Sequence, residues 1–223
     1  MPHGEKMTIE ISVASHIGKY RKKQEDAFLV EYDPVKGEHL LVVADGMGGH
    51  EHGKWAAVSC IEIFESNSDE PLENLCKLAD ETVSLGPPGF IRRFSSKSPG
   101  TTVVAGRLKG DNLKLVSVGD SYIYKITDKI ETLNTLHEGP EGGLTSFIGG
   151  GSSGYFQIWS GEVTLNEDAT YLLVTDGVDY MKKEDLLYCK NAQEVIDKVL
   201  EGGAYDNITC IMIDVKDCDK KLV

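Results

Sequence analysis

The chain has 223 residues and a formal net charge of −13, with a sequence pI near 4.9. Domains usually run to ~100–200 residues and larger β-rich ones are common, so one domain over residues 1–223 is expected; 40% hydrophobic and 26% charged residues describe a globular chain, not a disordered one. The acidic balance argues against nucleic acid as a partner, because Lys and Arg must displace counterions from phosphates, and against docking on anionic lipid.

From the N-terminus, Ile9, Ile11 and Val13 alternate with polar residues, which predicts a half-buried strand. A second strand is expected at 27–32, and HLLVVAD at 39–45 reads as a strongly apolar third. After a glycine-rich turn the period changes. Trp55, Val58, Ile61 and Phe64 predict one helix, and Leu72, Leu75, Cys76, Ala79 and Val83 a second. GPPG at 86–89 punctuates, and the basic piece IRRF follows. Strand signals return in TTVVAGRL, NLKLVSVGD, SYIYKI and KIETL, separated by turn residues. A glycine-rich stretch covers 139–154. YFQIWSG and TYLLVTD predict two further strands, 192–200 a helix, and NITCIMIDV a last strand. This order predicts an α+β fold on antiparallel sheets.

The five cysteines (Cys60, Cys76, Cys189, Cys210, Cys218) are odd in number and lack CxxC spacing, so reduced thiols are expected. No apolar leader follows a basic start, and no run of ~18 apolar residues occurs. The expected location is cytoplasmic, with no membrane segment.

Three apolar runs end in an aspartate beside a glycine, at Asp45, Asp120 and Asp176; a fourth aspartate, Asp206, stands just before the strand that opens at Ile208. In antiparallel pairing one strand's end lies beside its neighbour's start, so the four can meet at one rim of a sheet. Asp-Gly and Asp-Asn are also ordinary turn chemistry. If they do converge, mutual repulsion calls for cations, and an all-oxygen donor set suits magnesium or manganese better than zinc.

Several segments taken in order resemble the metal-dependent protein serine/threonine phosphatases (PPM family, type 2C), particularly their compact bacterial members. They are IGKYRKKQEDAF at 17–28, VVADGMGGH at 42–50, GTT at 100–102, VSVGDSYIY at 116–124, LTSFIGG at 144–150, VTDGV at 174–178 and DNIT at 206–209. The resemblance implies a four-layer α-β-β-α sandwich and hydrolysis of phosphoserine and phosphothreonine by water activated at a two-metal centre. Its implied cofactors are Mn2+ or Mg2+, two ions in the core site and a third, weaker one. Its implied partners are phosphorylated proteins and a cognate serine/threonine kinase.

By that likeness Asp45 bridges both ions, the Gly46 carbonyl completes the second, and Asp176 and Asp206 hold the first. Asp120 matches the aspartate of a third ion. Glu25 and Asp26 orient water at the ions or touch the second. Arg21 binds the substrate phosphate, for which its planar paired donors are suited. Read alone, Arg21 beside Lys19, Lys22 and Lys23 is equally a solvated basic strand edge.

Three departures from the family pattern stand out. Met47 occupies a place where many members carry His, leaving His50 or a metal-bound water as the candidate general acid. Tyr180 stands where relatives often show aspartate, with Asp179 one step earlier. Finally, only NTLHEGPEGG fills the interval where the family inserts a helical flap, so an open cleft is expected. Other reactions fit less well. None of the cysteines has arginine six residues on, as a cysteine-dependent phosphatase needs, and no GxxxxGK[ST] loop is present. Ser117, Ser121 and Thr175 have no His–carboxylate pair to make them nucleophiles. Two alternatives remain: a non-catalytic binding module of the same fold, and a hydrolase of small phosphate esters.

Overall fold

The computed structural model describes residues 7–47, 52–90, 99–151, 154 and 156–217. Ten strands and three α-helices follow in chain order among these residues: β1 (Met7–His16), β2 (Ala27–Asp33), β3 (Glu38–Ala44), α1 (Gly53–Ser66), α2 (Leu72–Leu85), β4 (Val103–Lys109), β5 (Asn112–Val118), β6 (Tyr122–Ile126), β7 (Ile130–Thr132), β8 (Trp159–Thr164), β9 (Thr170–Val174), α3 (Ala192–Gly202) and β10 (Ile208–Asp217). The strands form two five-stranded sheets, ordered β1-β10-β9-β6-β7 and β2-β3-β4-β5-β8, and every pairing is antiparallel.

Period-two alternation sorts the strand residues into separate cores. In β3, Leu40 and Val42 face α1 and α2, while Leu41 and Val43 face the other sheet. In β10, Cys210 and Met212 pack with Val195, Ile196 and Val199 of α3, while Ile211, Ile213 and Val215 join the core between the sheets. Three apolar layers thus glue four structural ones, α-β-β-α, as expected. Covered on both faces, β3, β9 and β10 read as near-continuous apolar runs. Each fully buried Val, Leu or Ile stabilises by about 1.5–3 kcal/mol.

Two details differ from expectation. The buried face of α1 is carried by Ala56, Ala57, Cys60 and Phe64, whereas Trp55 and Ile61 lie partly buried at its flank. Small residues let the helix axis approach the sheet, and the large ones seal the sides. The strand expected at 155–161 begins instead at Trp159 and runs on to Thr164. Its partner dictates this: β5 offers bonds from Ser117, opposite Trp159, to Asn112, opposite Thr164. Among the described residues, no α-helix stands between β7 and β8, consistent with the short interval read from the sequence. No helix among them is long and apolar enough to cross a membrane.

Candidate active site

Pairing register brings the ends of six strands to one end of the sandwich. Ala44 at the end of β3 faces Ala27 at the start of β2, Val118 faces Val103, and Val174 faces Cys210. Residues just past these ends, namely Glu25, Asp45, Gly46, Met47, Thr102, Asp120, Asp176, Asp206 and Asn207, line a cleft of about 260 Å3 together with Arg21, Gly143 and Leu144 from longer loops. Asp26 is buried immediately behind it, 2% exposed. His50, with Gly48 and Gly49 and the basic piece at 91–94, lies outside the described residues. A larger groove of about 500 Å3 lies at the start of α2 and shares no lining residue with this cleft.

Each wall is held by bonds that the sequence explains locally. The GTT block supports the DG turn: Thr101 Oγ1 donates to the Asp45 carbonyl at 2.7 Å, and the Thr102 N–H donates to the same oxygen at 2.9 Å. Gly46 is obligatory here, since a Cβ would lie 2.4 Å from the Gly53 carbonyl oxygen and 2.7 Å from that of Glu25. Asp80 of α2 accepts from the Gly149 and Gly151 N–H groups at 2.7 and 3.1 Å. That fixes the loop whose Ile148 bonds Thr101.

Two residues that the motifs alone did not single out position the site. His137 Nδ1 accepts from the Gly119 N–H at 3.0 Å, and the His137 N–H donates to the Gly119 carbonyl. This double clamp orients Asp120. Asn207, 3% exposed, ties the Arg21 loop at both ends. Its Nδ2 donates to the Ile17 and Lys23 carbonyls at 2.8 and 3.0 Å, and its Oδ1 accepts from the Glu25 N–H at 2.9 Å. A polar residue wedged between Asp206 and an apolar strand was the available signal. Asn207→Ala leaves three backbone groups unpaired, so it is expected to cost roughly 2–4 kcal/mol in denaturant unfolding; a loss under about 0.5 kcal/mol would refute the clamp.

The electrostatics are dominated by crowded acid groups. Burial, then the charges of Asp26 and Asp176, push the Asp45 carboxyl well above its ordinary range. Burial raises Asp26 to about 7, against two hydroxyl bonds that favour its charged form: Thr209 Oγ1 donates to Asp26 Oδ2 at 2.8 Å and Thr175 Oγ1 at 3.3 Å. Burial, with Asp176 nearby, lifts Asp120 to about 7. Burial raises Asp176 too. Arg21 Nη2 donates to Asp206 Oδ2 at 2.5 Å.

Among the described residues no three His, Cys, Asp or Glu side chains stand in ready ligand geometry around one point. The oxygens are drawn onto one another instead: Asp45 lies within proton-sharing reach of Asp26 and Asp176, and Asp206 is turned to Arg21. With all of them ionised, Asp26 Oδ1 and Asp176 Oδ1 are buried without a hydrogen-bond partner among the described residues. Orphaned carboxyl oxygens in an all-oxygen cleft suit a hard divalent cation. Asp179 is not part of this lining; it accepts from the Tyr122 hydroxyl at 2.9 Å.

The fold and the sequence both have relatives. The chain is 26% identical to the serine/threonine protein phosphatase PstP of Mycobacterium tuberculosis, over 96% of this chain and 46% of that protein. It thus spans about half the length of that curated relative. The structure of the S. agalactiae serine/threonine phosphatase superposes with a TM-score of 0.78 at 22% identity, covering 93% of this chain and 99% of that one. The catalytic domain of PstP, solved in complex with two manganese ions, superposes with a TM-score of 0.72 at 22% identity, covering 95% and 100%. The family model described as protein phosphatase 2C matches residues 14–202. The chain therefore belongs to the protein phosphatase 2C family.

Proposed function

We propose that this chain is a metal-dependent protein serine/threonine phosphatase, with residues 1–223 acting as one catalytic domain on phosphorylated proteins and opposing a serine/threonine kinase. One observation carries the reading: carboxylates from four separate stretches, Asp45, Asp120, Asp176 and Asp206, line one cleft together with Arg21. Such a concentration of half-buried negative charge is costly unless cations balance it.

In this reading Asp45, the Gly46 carbonyl, Asp176 and Asp206 would hold two Mn2+ or Mg2+ ions. Asp120 serves a third, weaker site. Divalent cations held there supply charge neutralisation and make water reactive towards phosphorus. The chain's own groups do the rest. Arg21 presents paired N–H donors to the non-bridging phosphate oxygens. Glu25 on the cleft wall and Asp26 behind it orient water at the ions or touch the second one. His50 delivers a proton to the departing serine or threonine oxygen.

The test is turnover of an aryl phosphate and a phosphothreonine peptide with manganese, then with chelator. Metal-dependent hydrolysis of both is expected. Hydrolysis of the aryl ester alone would favour a small-ester hydrolase, and hydrolysis of neither a binding module.

A further inference from the structure

Outside the cleft, beside Arg21, stands an aromatic cluster with no part in the chemistry above. The Tyr20 and Tyr205 rings stack with centroids 4.4 Å apart and an interplanar angle of 13°. Tyr180 leans on Tyr205 at 5.4 Å. All three are exposed, at 62%, 50% and 38%. Their positions are built into the backbone. The Lys19 N–H donates to the Ala204 carbonyl at 2.8 Å, which brings the two loops together. Gly203 has φ +123°, and a Cβ there would lie 2.6 Å from Tyr205 Cε2; one at Gly202 would strike the Tyr180 carbonyl oxygen at 1.7 Å. The paired glycines therefore let both tyrosines fold back over the turn.

Large aromatic side chains left stacked in solvent waste apolar area that a partner can cover. This ledge adjoins the cleft through the chain itself: Tyr20 directly precedes Arg21 and Tyr205 directly precedes Asp206, and Arg21 and Asp206 line the cleft. Next to it Lys22 and Lys23 are exposed, a basic strip on a chain of net charge −13. Among the described residues, the lining at Gly143 and Leu144 contributes no aromatic side chain. A cleft of about 260 Å3 is large enough for a phosphorylated side chain.

We propose that the Tyr20–Tyr205–Tyr180 ledge is the docking surface for the substrate chain, selecting phosphopeptides with an aromatic side chain one or two residues from the phosphorylated residue. The basic strip matches the negative charge of such a peptide. The inference rests on the phosphatase reading for its occupant, though the ledge can be tested without turnover.

Two phosphothreonine peptides, identical except for Tyr or Ser beside the phosphothreonine, are compared on the manganese-loaded protein. Stacking of one further ring is worth about tenfold, so kcat/KM is expected to favour the Tyr peptide by about that factor. In Tyr20→Ser/Tyr205→Ser the ratio should fall to near one, carried by KM; Tyr20→Phe/Tyr205→Phe should keep it. Equal kcat/KM in the unaltered protein, or an unchanged ratio in the serine variant, overturns the ledge. Hydrolysis of neither peptide would overturn the phosphatase reading alone. Calorimetric Kd values for the same peptides then decide the ledge, a tenfold difference lost in the serine variant supporting it and equal values overturning it.

Discussion

Asp45→Asn is expected to abolish divalent-cation binding and to lower phosphatase activity by about a thousandfold, ~4 kcal/mol of barrier, while making the metal-free fold more stable. The two effects have one cause. Asp45 is half-buried at the wall of the cleft, and burial, then the charges of Asp26 and Asp176, raise its carboxyl. An acid whose folded pKa is raised binds more protons folded than unfolded, so stability falls as pH rises from about 4 through about 7, the value to which Asp26 and Asp120 are raised. Asparagine keeps the shape, removes one charge and can donate to the remaining carboxylates. In chelator at pH 8 it should add about 1–2 kcal/mol, or ~2–4 °C in Tm for each kcal/mol in a chain this size. Adding manganese should reverse the order, because only the unaltered protein gains from binding. Calorimetric melts with and without metal read both signs. A variant less stable than the parent in chelator would remove the repulsion argument, and one that still binds manganese would remove Asp45 from the centre.

Arg21→Ala is expected to raise KM for phosphate esters, and the inhibition constant of inorganic phosphate, by about 10- to 100-fold, which corresponds to charge-assisted hydrogen bonds of ~1.5–3 kcal/mol. kcat should fall by less. Stability should hardly change: the Arg21–Asp206 pair has side chains 38% and 24% exposed, and such solvent-screened pairs contribute at most ~1 kcal/mol. Lysine at this position should recover only part of the loss, since a point charge lacks the paired planar donors. Unchanged phosphate affinity in the alanine variant would assign Arg21 to the solvated strand edge instead.

Much of this fold was legible because its signals are local. Alternation in 9–13, the apolar run at 40–44 and the amphipathic spacing of 192–200 each report a single element against a flat core. Antiparallel geometry allowed Asp45, Asp120, Asp176 and Asp206 to meet at one sheet rim, but Asp45 and Asp120 end strands of one sheet while Asp176 and Asp206 flank strands of the other, so their meeting depends on how the two sheets pack. What stayed hidden depends on distant partners. The buried face of α1 is set by how closely Ala56, Ala57 and Cys60 let it approach the sheet, and the larger, more conspicuous Trp55 and Ile61 mark only its flank. The start of β8 is fixed by where β5 offers bonds. Asn207, His137 and Asp80 work through backbone groups as far as 190 residues away in the chain, and no spacing rule foretells such a bond. The Tyr20–Tyr205 stack likewise joins residues that only the folded chain brings side by side.

All of these expectations descend from the placement of divalent cations among the carboxylates at the end of the sandwich. Anomalous scattering from crystals grown in manganese tests that placement directly. Two strong peaks flanking Asp45, one within ligand distance of Asp176 and Asp206 and the other beside the Gly46 carbonyl, are the expected result. Fully ordered carboxylates with no anomalous peak between them, or ions bound only elsewhere on the surface, would contradict it.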